Sequence, residues 1–501
     1  MTPVQLRLIM IGILLSLFLA SMEGTVVATA MPTIVGQLGG LSIYSWVFSI
    51  YMLTSTTTVP IYGKLSDVYG RKRIYFISMG LFLVGSVLCA QAKSMEQLVL
   101  FRAIQGLGAG GVLPLVFTIV GELYTLEERA RMQGLLSGVW GVSSVVGPLI
   151  GGFLVDQVAW QWVFLINVVP GLLAVGFVWF AWRGVPEAPK RQVSIDYLGA
   201  GLLTVGVLSL LLGLEEMQQP LGWGLLLVAL LSIVGLVWAE RRAADPILPL
   251  ALFRDRLFTV TILNGFFTGW AMFGSLNFVP LFAQAVLGAS ATQAGITLTP
   301  MSLSWTFASI LAGWLLLKVG YRSLALVGSV LLVVGTLLMA RISDTTSLIA
   351  LMAFMSLMGA GMGLSVPAFL IAVQSTVEKR ELGVATSTIQ FSRSIGGTFG
   401  VSTLGIFLTL RLASALRAAG LDPAAVSLDS LIEPAAQAAS AINGTLREAL
   451  AVAIANLFGL ALIAAVIGLM VVFLAPTGRI AQLVAARAAR SAAAQEEPHA
   501  N

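Results

Sequence analysis

The chain has 501 residues, 58% of them hydrophobic and only 10% charged, with a mean hydropathy of +0.95; soluble domains carry about 25% charged residues, so this is an integral membrane protein. A net charge of +5 follows from lysines and arginines spread over the loops and does not point to nucleic-acid binding. The one cysteine (Cys89) and one histidine (His499) exclude an intramolecular disulfide, a bis-histidine haem and most transition-metal sites within the membrane, and the absence of a G-x-x-x-x-G-K-[ST] run excludes ATP as the energy source within the chain.

Apolar segments occupy about 6–30, 44–62, 74–92, 98–121, 133–155, 162–182, 197–214, 222–240, 258–287, 294–317, 323–340, 346–374, 383–410 and 446–475. Fourteen segments, most near the ~20 residues a helix needs to span a bilayer, predict an all-α membrane protein. The runs are continuous rather than alternating, which argues against barrel strands. The first resembles a signal peptide only superficially: it is too long, is interrupted by Glu23, and reads as a retained span. An even count puts both termini on one side. Of the 28 basic residues, only Lys93, Arg341, Arg411, Arg417 and Arg447 fall in outward loops, Arg102 and Arg393 lie within spans, and the rest lie inward. The positive-inside rule then makes both ends cytoplasmic.

Glu23 is a carboxylate inside the first segment, and an ionisable group there is functional by default. A carboxyl group in low dielectric holds its proton more tightly than in water, which suits it to proton exchange; the bland alternative is a structural hydrogen-bond partner. Between the second and third segments lies G-x-L-x-D-x-x-G-R-K-x, with Gly63, Asp67, Gly70 and Arg71 at its fixed positions. Its glycines let the backbone turn or approach a neighbour. Asp67 is suited to accept from a helix N-terminus or an arginine. Arg102 and Gln105 sit in R-x-x-Q-G, with Arg102 about four residues from the outer end of its segment and Glu23 about seven from the outer end of its own. At 1.5 Å per residue this puts Glu23 and Arg102 at similar depth, close enough for each to affect the other's charge. Gly147, Pro148, Gly151 and Gly152 form G-P-x-x-G-G, small residues for close packing and a proline for a bend. Trp160 and Trp162, read as interfacial anchors, lead to Asn167. Segments 197–214 and 222–240 carry no ionisable residue apart from Glu240 at the end and read as peripheral.

In the second half, residues 313–322 echo 63–72 after 250 residues, keeping both glycines and a basic residue, with Leu317 where Asp67 stood. Asn264, Asn277, Gln284, Gln374 and Gln390 are polar groups within or at the edges of spans there, and Arg393 lies mid-span. Residues 241–256 form a charged, proline-bearing connector, the outward loop 411–445 suggests short amphipathic helices, and residues 479–501 form a basic, alanine-rich end.

The 63–73 pattern resembles the signature loop between helices 2 and 3 of the major facilitator superfamily. The residues around Glu23 resemble the first-helix motif of its fourteen-spanner drug:proton antiporters, which usually carries aspartate there. R-x-x-Q-G resembles a motif tied to proton coupling, and G-P-x-x-G-G the antiporter motif of exporters. The resemblance implies two six-helix bundles plus two extra helices: residues 1–184, the inserted pair 185–245, residues 246–475, and a cytoplasmic tail 476–501. It further implies a transporter and not an enzyme: a monomeric exporter of lipophilic, cationic drugs in a bacterial inner membrane, working by alternating access with protons as the coupling ion and no other cofactor. In that scheme Glu23 carries the proton beside Arg102. Gln105, Asn167, Gln284 and Gln390 line the substrate cavity. Gly63, Asp67, Gly70, Arg71, Gly147, Pro148, Gly151, Gly152 and Arg393 serve the conformational change. Export or exchange of a specific metabolite, amino acid or siderophore is the second reading, and a channel a more distant one.

Overall fold

Lipid offers no partners for backbone N–H and C=O groups, so a spanning chain must satisfy them within itself. The computed structural model describes residues 1–40, 43, 46–182, 196–217, 219–289, 291–418, 444–478, 480, 482 and 485, and no strand occurs among them. The helices are α1 (Pro3–Leu38), α2 (Trp46–Tyr69), α3 (Arg71–Ala90), α4 (Met95–Leu123), α5 (Leu126–Gln157), α6 (Trp162–Leu165), α7 (Val168–Ala181), α8 (Tyr197–Glu215), α9 (Pro220–Glu240), α10 (Arg256–Leu281), α11 (Ala291–Ile296), α12 (Thr299–Val319), α13 (Tyr321–Met339), α14 (Leu348–Thr376), α15 (Leu382–Ala418) and α16 (Gly444–Phe473). Most of the expected loop 411–445 and of the basic end lies outside the described residues.

Twelve spans among the described residues are long and apolar enough to cross a membrane. The two sequence segments without such a span are 44–62 and 383–410. They are occupied by α2 and α15, of 24 and 37 residues, whose serines, threonines, glycines and charges dilute their hydropathy. The hydroxyls of α2 turn back on their own helix: Thr54 donates to Ile50 O, Thr57 to Leu53 O and Thr58 to Thr54 O, at 2.6–2.8 Å. No hydroxyl proton of these three is left without an acceptor, so a polar composition is compatible with a buried helix.

The helices gather into two compact units. The first takes in the described residues of 1–259, including α8 and α9, together with 370–391; the second takes in 260–369 and the described residues of 392–478.

In the first unit α4 is the central element, and its glycines explain how. A Cβ on Gly106 would lie 2.0 Å from Thr54 Oγ1, and one on Gly110 would lie 2.0 Å from Thr58 Oγ1, both on α2. A Cβ on Gly108 would lie 2.2 Å from the Phe82 nitrogen, and one on Gly111 would lie 2.1 Å from Ser78 Oγ, both on α3. The glycine run of α4 is therefore two contact rows, one for each neighbour. The α1–α5 contact uses the same device. Gly147 faces Thr25 and Gly151 faces Thr29 and the Val26 carbonyl, whereas Gly152 faces open space.

Gly70 and Gly320 end α2 and α12 with nearly the same turn, at φ +89° and +84°, a region that side-chain-bearing residues rarely enter. The echo between residues 63–72 and 313–322 is thus an echo of backbone geometry as well. Trp160 departs from its sequence reading. It is 2% exposed, packs edge-on against Phe164 and donates its indole N–H to Gln37 Oε1 at 2.9 Å; Trp162 remains exposed.

Placing alanine at position 151 puts a methyl group 2.1 Å from Thr29 Oγ1 and 2.9 Å from the Val26 carbonyl, and the same change at 152 meets nothing within 4 Å. Gly151→Ala is expected to destabilise the detergent-solubilised protein by about 1–3 kcal/mol and Gly152→Ala to leave its thermal midpoint unchanged; equal midpoints for the two variants would refute the packing described.

Candidate functional site

Four helices of the first unit converge on Glu23, which is 1% exposed on α1. Arg102 and Gln105 stand three residues apart on α4, hence on one face of that helix. Gly85 of α3 lies directly under the Gln105 main chain, where a Cβ would be 2.5 Å away, so α3 and α4 meet closely enough for Ser86 to join. Asn167 sits between α6 and α7, where the backbone keeps right-handed helical angles, and its side chain reaches Glu23.

The resulting network is dense. Arg102 Nη1 donates to Glu23 Oε1 at 2.6 Å and to Gln105 Oε1 at 2.7 Å. Gln105 Nε2 donates to Glu23 Oε1 at 2.9 Å and to Ser86 Oγ at 2.8 Å. Asn167 Nδ2 donates to Glu23 Oε2 at 2.7 Å and approaches Ser86 Oγ at 3.3 Å. The Arg102 Nε–H is taken by the Val47 carbonyl at 3.1 Å, and the guanidinium lies 4.1 Å from the Tyr51 ring centroid, a cation–π contact. A buried ion pair is tolerated only with such additional hydrogen bonds around it. Chemically the cluster is a carboxyl group held by donors alone and sealed from water.

The other sequence candidates separate into distinct places. Asp67 does both things its position predicted: it pairs with Arg71, and it accepts the N–H groups of Gly383 and Val384 at 2.9 and 2.7 Å. These are unpaired donors of the first turn of α15, where the helix dipole favours an anion. Arg71 also donates to Ser66 Oγ at 2.8 Å, to Glu122 Oε2 at 3.0 Å and to the Lys379 carbonyl at 3.4 Å. Gly63 lies against Ser387, where a Cβ would be 1.9 Å from the hydroxyl. Glu122 and the 379–384 backbone carry no motif, which is why the sequence did not single them out. Pro148 lies within α5.

Of the four glutamines and asparagines predicted as cavity-lining, Gln105 and Asn167 are fully buried and engaged with Glu23. Gln390 is buried on α15, and Gln284 lies half-buried on the π-helical turn Phe282–Val286 that follows Pro280. Arg393 belongs to the second unit, where the Gly269 position of α10 abuts its carbonyl oxygen. Asp156 is exposed at the end of α5. No group of three or more His, Cys, Asp or Glu suited to a metal ion exists among the described residues.

Comparison with known proteins agrees with this architecture. Residues 13–401 match the Major Facilitator Superfamily. The chain is 40% identical over 443 residues to Multidrug transporter protein MdtP of Bacillus subtilis (strain 168), covering 87% of this chain and 81% of that protein. It is 37% identical over 409 residues to Multidrug resistance protein 3 of the same organism, covering 80% of each. Among solved structures, the human organic anion transporter MFSD10 (TETRAN) superposes with a TM-score of 0.62 at 15% identity, over 93% of this chain and 100% of that one. The chain belongs to the Major Facilitator Superfamily and is a multi-pass membrane transporter, not an enzyme.

Proposed function

We propose that this transporter is a proton-coupled multidrug exporter of the fourteen-spanner type, with both termini in the cytoplasm of a bacterium and its spans in the inner membrane. The similarity to two proteins named for multidrug transport or resistance supports drug efflux, and α2 and α15 supply the two helices beyond the twelve apolar spans. The single observation that carries the coupling is the Glu23 carboxylate, sealed in the first unit and bonded to Arg102.

The physical logic is competition for one negative charge. While Arg102 holds Glu23, the carboxylate is stabilised as an anion. A conformational change that lengthens this contact leaves an unpaired charge in low dielectric, and taking a proton from the outer side relieves it. Return of Arg102 expels the proton on the cytoplasmic side. The substrates are lipophilic and cationic, moved outward as protons move inward by alternating access. The Asp67–α15 contact holds one conformation on the cytoplasmic side, and its release accompanies the transition.

Glu23→Gln is expected to abolish dye efflux driven by an imposed pH gradient in inverted membrane vesicles while the protein still inserts into the membrane, at a lower thermal midpoint because Arg102 loses its counter-charge; gradient-driven efflux at the parental rate would overturn the assignment. Asp67→Asn keeps the shape and removes the charge that faces the start of α15. The loss of about 1 kcal/mol should speed amide exchange at Gly383 and Val384 roughly fivefold. Unchanged exchange would remove the contact from the mechanism.

A further inference from the structure

We infer that Asn167 is the proton-sensing partner of Glu23, a side-chain amide that turns over when the carboxylate takes up a proton. This rests on the reading of Glu23 as the proton carrier.

Every hydrogen bond to Glu23 comes from a donor: Arg102 Nη1 and Gln105 Nε2 on Oε1, Asn167 Nδ2 on Oε2. Such a shell fits the anion and excludes the acid, whose O–H needs an acceptor. The titratable and charged groups facing Glu23 are Arg102 from α4, Tyr51 from α2 and Cys89 from α3. The guanidinium has no acceptor to offer. Gln105 Oε1 is taken by Arg102 Nη1 and lies 3.8 Å from the Cys89 sulfur. Ser86 Oγ already faces the Gln105 and Asn167 amides.

One acceptor is unused. Asn167 Oδ1 is fully buried and has no hydrogen-bond partner; such an orphan in a sealed site calls for an explanation. Its own amide nitrogen stands 2.7 Å from Glu23 Oε2. A half-turn about the terminal bond of Asn167 exchanges the two atoms, putting Oδ1 where Nδ2 was. It then accepts the new O–H of the acid, and the Ser86 hydroxyl is free to donate to it as well. The step adds one proton to Oε2, forms one O–H bond and reverses when the proton leaves. Asn167 is thereby a positioning residue with a bond for each protonation state, which neither Arg102 nor Gln105 provides.

The test is infrared difference spectroscopy between acidic and alkaline pH on the purified full-length protein in lipid. The parent should show a carboxylic-acid C=O band that is missing in Glu23→Gln. In Asn167→Leu that band should shift to higher frequency, because the acid O–H has lost its acceptor, and in Asn167→Gln it should return to the parental frequency. Asn167→Asp covers failure of the leucine variant to accumulate: it keeps an acceptor and removes the donor, so the fraction of Glu23 protonated at a given pH should rise several-fold with the band frequency held. An unmoved band in Asn167→Leu, or an unchanged protonated fraction in Asn167→Asp, overturns the amide turnover and leaves the proton-carrier reading standing. Absence of any band that depends on Glu23 overturns both.

Discussion

The organisation of the first unit depends on keeping one pair of opposite charges, Glu23 and Arg102, out of water. Removing either partner from such a buried pair typically costs about 3–5 kcal/mol, because the survivor is left uncompensated. The fold meets this by surrounding the pair rather than by strengthening it alone. Arg102 spends its donors on Glu23, Gln105 and the Val47 carbonyl and lays its face on Tyr51. These contacts require α2, α3 and α4 to lie almost backbone to backbone, and the glycines of α4 permit that separation. Packing and charge are here one constraint: a methyl group on the wrong face of α4 would disturb the geometry that makes the charges tolerable.

The same unit stabilises a second buried acid by different means. Asp67 meets backbone N–H groups at the start of α15 and the Arg71 guanidinium, so its charge is matched by a helix terminus as well as by a side chain. Glu23 meets side chains only. Bonds from side chains can be rearranged by rotation, whereas those from a helix terminus are exchanged only if the whole helix moves. In the proposed scheme this difference suits Glu23 to local proton exchange and Asp67 to following the position of α15.

Much of this was legible in the sequence, and the reasons for success and failure are physical. Depth along a straight helix follows from counting residues, so the proximity of Glu23 and Arg102 could be read from two segments alone. Facing could not. Asn167 stood out only as part of a tryptophan-led pattern, and hydropathy does not register which side of its span faces Glu23. Trp160 misled for a related reason: composition near a span end favours an interfacial tryptophan, but the neighbouring Gln37 and Phe164 supply an internal site for it. Gly151 and Gly152 are indistinguishable as letters, yet only the first faces another helix. Hydropathy also understated α2, whose hydroxyls are absorbed by its own carbonyls.

The paired glycine turns after α2 and α12 carry a consequence for how the two halves diverged. Both copies kept the kink, but in the second copy the acid is Leu317, Lys318 lies over the Trp314 ring, and Arg322 fastens to the Phe473 carbonyl at the end of α16 at 2.8 Å. The same glycine turn thus carries different anchors, an acid set on the N-terminal end of α15 in one repeat and an arginine set on the C-terminal end of α16 in the other.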